Sequence, residues 1–257
     1  MKNKIINIKR KKNKTKIICL TAYSKNIAVI LDRYCDLILV GDSLANTLYG
    51  MQNTHNIDIE TIINHAKSVR LGVKRSLLVV DMPIGTYKNL VVAKKNANLI
   101  IKKSKCDAIK IESNNKNFNI IRELVKLNIH VMGHIGYTPQ SKKKFQVRGK
   151  TIAEEKKLIK EALLIEKAGA FAIVLECIAE ETSEKISKIL KIPTIGIGSS
   201  VHCDGQIIVT DDMLGMSGFY PKFVKKYANM SKMIEKAVAT YSRDIIYKKF
   251  PTKKNSY

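Results

Sequence analysis

The chain has 257 residues, 45% of them hydrophobic, enough for one large domain with a sizeable core or for two small ones. Lys and Arg number 46 against 22 Asp and Glu, a formal charge of +24, yet the lysines are scattered through helices, loops and tail rather than gathered on one face or interleaved with aromatics. That scatter, with Ile and Asn abundant as well, reads as the drift of AT-rich coding sequence; neither a specific nucleic-acid partner nor a membrane span of about eighteen apolar residues is expected.

Residues 1–16 carry Lys2, Lys4, Lys9, Arg10, Lys11, Lys12, Lys14 and Lys16 with no acid, and lack the continuous apolar stretch of a signal peptide. They form a basic lead-in, frayed or partly helical. Ile17-Ile-Cys-Leu-Thr-Ala-Tyr23 reads as a first strand, and Ser24 to Arg33 puts Ile27, Ile30 and Leu31 on one helical face. Leu37-Ile-Leu-Val40 is apolar without interruption, as a strand buried on both faces is, and it stops at Gly41-Asp42-Ser43. After a polar loop, Ile59 to Leu71 has helical period. Ser76 to Pro83 is a third strand, Val91 to Lys103 a helix, and Asp107-Ala-Ile-Lys-Ile-Glu112 a fourth strand.

That fourth strand alternates Ala108, Lys110 and Glu112 against Ile109 and Ile111. If the isoleucines face outer helices, a lysine and a glutamate point into a barrel, where unpaired charges cost several kcal/mol each. Ile120 to Leu127 is helical, and Ile129 to Gly136 is a fifth strand with His134 near its end. Tyr137 to Ser141 and a basic loop, Lys142 to Lys150, follow. Thr151 with Glu154 makes a capping box for a long helix that ends at Gly169. Phe171 to Glu176, Pro193 to Gly198 and Gln206 to Thr210 complete the strands. Thr182 to Leu190 and Pro221 to Tyr247 are helical.

Eight strands alternating with helices, without a long linker, predict an α/β fold, a single-domain (β/α)8 TIM barrel over residues 17–250, with a polar tail at 251–257. Cysteines 19, 35, 106, 177 and 203 form no CxxC pair; Cys35, Cys106 and Cys177 adjoin strand residues and pack as small hydrophobes, which suits a cytoplasmic protein.

Asp42, Asp81, Glu112, His134 and Glu176 close five consecutive strands, at the rim where such barrels do their chemistry. Asp42, Asp81 and Glu112 offer hard oxygen ligands suited to Mg²⁺. With few protein ligands, the ion keeps positions open for a 2-oxo acid, whose enolate it stabilises as a Lewis acid. Glu176, across the mouth and flanked by Val174 and Leu175, is the candidate base. Lys110 would neutralise substrate charge. His134 either hydrogen-bonds substrate or is a satisfied core histidine. Gly196 and Gly198 serve packing or a ligand equally well.

The strings Val40-Gly-Asp-Ser43, Asp81-Met-Pro83, Lys110-Ile-Glu112, Gly133-His-Ile-Gly-Tyr-Thr-Pro-Gln-Ser141, Val174-Leu-Glu-Cys177, Ile192 to Gly198 and Cys203-Asp-Gly-Gln206 resemble the 3-methyl-2-oxobutanoate hydroxymethyltransferase family, in order from about Ile17 to Pro251. The resemblance implies a Mg²⁺-dependent barrel, commonly a homodecamer. Such an enzyme transfers a one-carbon unit from 5,10-methylenetetrahydrofolate to 3-methyl-2-oxobutanoate in pantothenate synthesis. By position it implies Asp42 and Asp81 as metal ligands supported by Glu112, and Asp42, Ser43, Asp81 and Lys110 as substrate contacts. It also implies His134 lining that pocket and Glu176 as proton acceptor.

Departures from the family fall in loops. Lys142 to Lys150 is about three residues shorter than the usual FGGYxVQGR and lacks its glycines. Ser113-Asn114 replaces two glycines, and Gly198-Ser-Ser200 replaces Gly-Ala-Gly. These changes predict an active but slower enzyme. Competing readings are another Mg²⁺-dependent 2-oxo acid lyase of the isocitrate lyase type, a Schiff-base aldolase using Lys110, and a basic nucleic-acid-binding protein.

Overall fold

Eight short apolar runs become eight parallel strands that close on themselves: β1 (Ile17–Thr21), β2 (Leu37–Val40), β3 (Leu77–Asp81), β4 (Ala108–Glu112), β5 (Val131–Gly136), β6 (Ala172–Glu176), β7 (Thr194–Ile197) and β8 (Gly205–Ile208), which pairs back onto β1. The computed structural model describes residues 2–113, 117–141, 145–218 and 220–257; Asn114 of the Ser113-Asn114 departure and Lys142–Lys144 of the basic loop lie outside the described residues. The expected (β/α)8 TIM barrel is the fold observed. The first seven strands lie within the runs read as strands, because a strand covered on both faces leaves an unbroken apolar signature, and β8 starts one residue earlier than read, at Gly205.

Alternation along the strands builds two cores. Leu37, Leu39, Leu77, Val79, Ala108 and Met132 belong to a cluster inside the barrel. Ile38, Val40, Leu78, Val80, Ile109 and Ile111 belong to the outer cluster, shared with helix residues such as Ile62, Ala66, Ala93 and Ile121. The isoleucines of β4 thus face outward, which aims Lys110 and Glu112 inward. Each such buried Leu or Ile contributes roughly 1.5–3 kcal/mol over its exposed state.

The outer helices of the barrel are α2 (Lys25–Leu31), α4 (Ile59–Gly72), α5 (Leu90–Ser104), α6 (Phe118–Lys126), α7 (Ile152–Lys167) and α8 (Glu180–Ile189), with a short extra turn, α3 (Leu44–Thr47), in the expected polar loop after β2. Caps set their starts. Asp58 accepts from Thr61 N–H at 2.7 Å and Asn89 from Val92 N–H at 2.9 Å. At α7 only half of the expected capping box forms: Thr151 accepts from Glu154 N–H, but Glu154 Oε2 reaches Gly149 N–H at 3.1 Å.

The basic lead-in is more ordered than a frayed segment. It forms α1 (Lys2–Arg10), whose Ile5 and Ile8 are buried in the inner cluster beside Ile17, Leu37 and Leu77, the first residues of β1, β2 and β3. Lys4 Nζ donates to the carbonyls of Lys74 and Ser76 at 2.9 and 2.8 Å. Lys12 Nζ pairs with Asp204 at 2.8 Å. A helix therefore stoppers the end of the barrel opposite the strands' carboxyl ends.

Residues 210–257 pack as a second compact unit, containing α9 (Thr210–Leu214) and α10 (Met230–Ile246). The helix expected from Pro221 starts only at Met230. Val224 N–H turns back to Pro221 O and Tyr227 N–H is taken by Met213 O, so the intervening backbone is committed to turns. No residue of α10 is buried, and Met233, Ile234, Val238, Tyr241 and Ile245 are exposed along it. Among the described residues no helix is long and apolar enough to cross a membrane.

Candidate active site

The carboxyl ends of β2 to β6 bring together all five residues that the sequence placed there. Strand register does the gathering: Asp81 lies opposite Lys110, Glu112 opposite His134, and Gly136 opposite Glu176. Asp42, Asp81, Lys110, Glu112 and His134 are each at most 6% exposed, and Glu176 is more open toward the mouth.

Two glycines allow the close approach. A Cβ on Gly41 would stand 2.9 Å from Ser43 Oγ and 3.5 Å from Asp81 Oδ2; without one, Asp42 N–H donates to Asp81 Oδ2 at 3.1 Å. Gly136 has φ +102°, and a Cβ there would meet Glu176 O at 2.1 Å. Ser43 Oγ lies 2.8 Å from the hydroxyl of Tyr23, just past β1.

At the centre, Lys110 Nζ is 2.9 Å from Asp81 Oδ1 and 3.4 Å from His134 Nδ1. His134 Nε2 is 3.2 Å from Glu176 Oε2, while its Nδ1 is 3.8 Å from Glu112 Oε1. An ammonium can only donate, so His134 Nδ1 accepts and its proton is assigned to Nε2, facing the Glu176 carboxylate. Asp81 Oδ1 and His134 Nε2 are buried and stand out of line for a full hydrogen bond with these close neighbours.

The electrostatics follow from burial. Desolvation pushes the Asp81 carboxyl up to about 7, the Asp42 charge adding to it and Lys110 opposing it. Glu112 is held well above the usual carboxylate range, first by burial and then by Asp42. For Lys110, burial alone would lower the pKa, but Asp81, Asp42 and Glu112 together raise it, so it remains an ammonium. Burial, then Lys110, lowers His134 and keeps it neutral.

Three inward carboxyl groups thus crowd one buried ammonium, and a divalent cation would favour the charged forms that burial disfavours. Among the described residues no three His, Cys, Asp or Glu side chains form a ready-made metal cage. An ion such as Mg²⁺ keeps most of its sphere for water and substrate and needs only one or two carboxylates. The oxygen donors, the crowding of carboxyl groups and the unaligned Asp81 Oδ1 therefore fit such an ion.

Sequence reasoning gave no role to two further residues. Gln140, 4% exposed, donates from Nε2 to Asp42 Oδ2 at 2.7 Å and to Met82 O at 3.0 Å, and from its backbone N–H to Glu112 Oε2 at 3.2 Å. Tyr87, in the loop after β3, donates its hydroxyl to Gln140 Oε1, and burial pushes its phenol far up so that it stays protonated. His55 Nε2 is 3.1 Å from Pro139 O, bracing the turn that carries Gln140. A glutamine inside Gly133–Ser141 was visible as part of a string; its partners, on three other loops, were not.

With this arrangement in view, comparison with known proteins is informative. The family model for ketopantoate hydroxymethyltransferase matches residues 2–253. A 3-methyl-2-oxobutanoate hydroxymethyltransferase of Pelagibacter ubique (strain HTCC1062) is 54% identical over 257 residues, covering 100% of both chains. One of Anaplasma marginale (strain Florida) is 43% identical over 256 residues, covering 98% of this chain and 92% of the relative. Among solved structures, 2,3-dimethylmalate lyase, a PEP mutase/isocitrate lyase superfamily member, superposes with a TM-score of 0.65 at 13% identity, over 94% of this chain and 88% of that one. Phosphonopyruvate hydrolase in complex with oxalate and Mg²⁺ gives 0.62 at 11%, over 98% and 93%; at such identities these two speak for the shared barrel alone. The near-complete match in sequence decides the activity: the chain belongs to the ketopantoate hydroxymethyltransferase family and is a transferase that places a hydroxymethyl group on 3-methyl-2-oxobutanoate.

Proposed function

We propose that this transfer is Mg²⁺-dependent, draws its one-carbon unit from 5,10-methylenetetrahydrofolate, and uses Glu176 as the base. The single observation that carries the reading is the buried rim cluster, in which Asp42, Asp81 and Glu112 face one ammonium while a half-open glutamate stands across from them. Asp42 and Asp81 would hold the ion with Glu112 in support; bound there, Mg²⁺ supplies Lewis acidity that stabilises the negative charge of an enolate.

The chain's own groups then divide the work. Lys110 Nζ, Ser43 Oγ and the metal-side carboxylates orient the oxo acid, with Lys110 neutralising its charge. Glu176 Oε2 removes the proton from carbon 3, with His134 Nε2 facing that carboxylate from 3.2 Å. The nucleophilic carbon takes the methylene of the folate, water supplies the hydroxyl, and tetrahydrofolate leaves. Exclusion of bulk water from Asp81, Lys110 and His134 strengthens each of these electrostatic contacts.

We further propose a cytoplasmic homo-oligomer, a decamer by family resemblance. Support comes from five buried free cysteines and from α10, which leaves Met233, Val238, Tyr241 and neighbouring apolar side chains uncovered. An assay for ketopantoate with the oxo acid, methylenetetrahydrofolate and Mg²⁺ tests the reaction; full activity in the presence of excess chelator would reject the metal.

A further inference from the structure

We infer that Gln140, held in one orientation by Tyr87, is the positioning residue that fixes the Asp42 carboxylate for cation binding. This rests on the reading of Asp42 and Asp81 as the cation site. A buried amide has two donors and one acceptor to satisfy, and here each has its own partner, two in the loop after β3 and one just past β2. Oε1 takes the Tyr87 hydroxyl from the loop after β3. Nε2 gives one proton to Met82 O and the other to Asp42 Oδ2, at 3.0 and 2.7 Å.

Because the Tyr87 hydroxyl donates, the amide oxygen must face it, and the NH₂ group must face Asp42; the flipped amide would set N–H against O–H and an oxygen against a carboxylate. The bond engages Oδ2 of Asp42 and so sets how the carboxylate turns about its Cβ–Cγ axis. The same residue's backbone N–H contacts Glu112 Oε2 at 3.2 Å. Gln140 thereby ties the rims of β2, β3 and β4 to the turn after β5. Groups that hold metal-binding carboxylates by hydrogen bonds typically contribute about 10–100-fold to metal affinity.

The test uses the full-length protein and Mn²⁺ as the spectroscopic probe, titrated by electron paramagnetic resonance without substrate. Gln140→Ala is expected to raise the Mn²⁺ dissociation constant about 10–100-fold. Tyr87→Phe, which removes one oxygen that never touches Asp42, is expected to raise it about 3–10-fold, less than loss of the amide itself, because Tyr87 stands one bond further from the carboxylate. The double variant should be no weaker than Gln140→Ala alone, since Tyr87 acts through the amide. Should Gln140→Ala fail to fold, Gln140→Asn, which keeps the amide but withdraws it by one carbon, gives the same readout. Wild-type affinity in the Gln140 variants, or effects of the two substitutions that multiply, overturns the inference. A wild-type protein that gives no saturable Mn²⁺ signal overturns the cation site itself, and this inference with it.

Discussion

Lys110 Nζ lies 2.9 Å from Asp81 Oδ1, and neither side chain is more than 7% exposed. The pair sits among further carboxylates, so Lys110 is a buried cation in a pocket of acids. Lys110→Met is expected to destabilise the metal-free protein by about 3 kcal/mol, the cost of orphaning a buried charge partner. It should also lower turnover at least ~100-fold by removing charge neutralisation at the reacting oxygens. Urea unfolding and initial rates measure the two effects. Borohydride should trap no substrate on wild-type Lys110, whose raised proton affinity makes it a poor amine nucleophile.

Glu176→Gln should abolish proton exchange at carbon 3 of 3-methyl-2-oxobutanoate, followed by deuterium uptake in NMR, while Mn²⁺ affinity stays within about twofold of wild type, because the residue stands outside the cation site. Persistent exchange would remove Glu176 from the role of base.

Asp81→Asn should weaken Mg²⁺ binding by at least about tenfold, since it removes the negative charge that the ion offsets. Isothermal titration checks it, and an unchanged titration would contradict the site.

At the stoppered end of the barrel, Asp204 is paired with Lys12 and accepts from Asn13 N–H and Thr194 N–H. Burial alone would raise its carboxyl pKa; these partners outweigh burial and hold it below the ordinary 3.8. A folded-state value below the unfolded one means fewer protons bound when folded, so the stabilisation is full above about pH 4 and fades as pH falls through the folded value. Asp204→Asn is expected to cost about 2 kcal/mol at pH 7, with the gap to wild type shrinking below about pH 4. Unfolding curves at the two pH values would refute this if the gap stayed constant.

The sequence was legible where one strand explains itself. Leu37–Val40 and Ala108–Glu112 announce strands covered on both faces, and a polar residue ending each run marks the rim. Hence the rim positions of Asp42, Asp81, Glu112, His134 and Glu176 were legible, and the inward direction of Lys110 followed from alternation. What escaped depends on long-range approach. Tyr23 beside Ser43, and Tyr87 against Gln140, meet across loops separated by many residues, and no local period encodes such contacts. In α1 the pair Ile5 and Ile8 is a short apolar signal inside a run of lysines, and only the cavity it fills gives it meaning.

That helix has a consequence for how the chain is made. Ile5 and Ile8 rest in a cluster that also includes Ile195 and Ile207, so its full packing draws on strands from both ends of the chain. A nascent chain lacking β7 and β8 would leave that cluster incomplete around a cationic helix, with apolar surface open to chaperones and proteases.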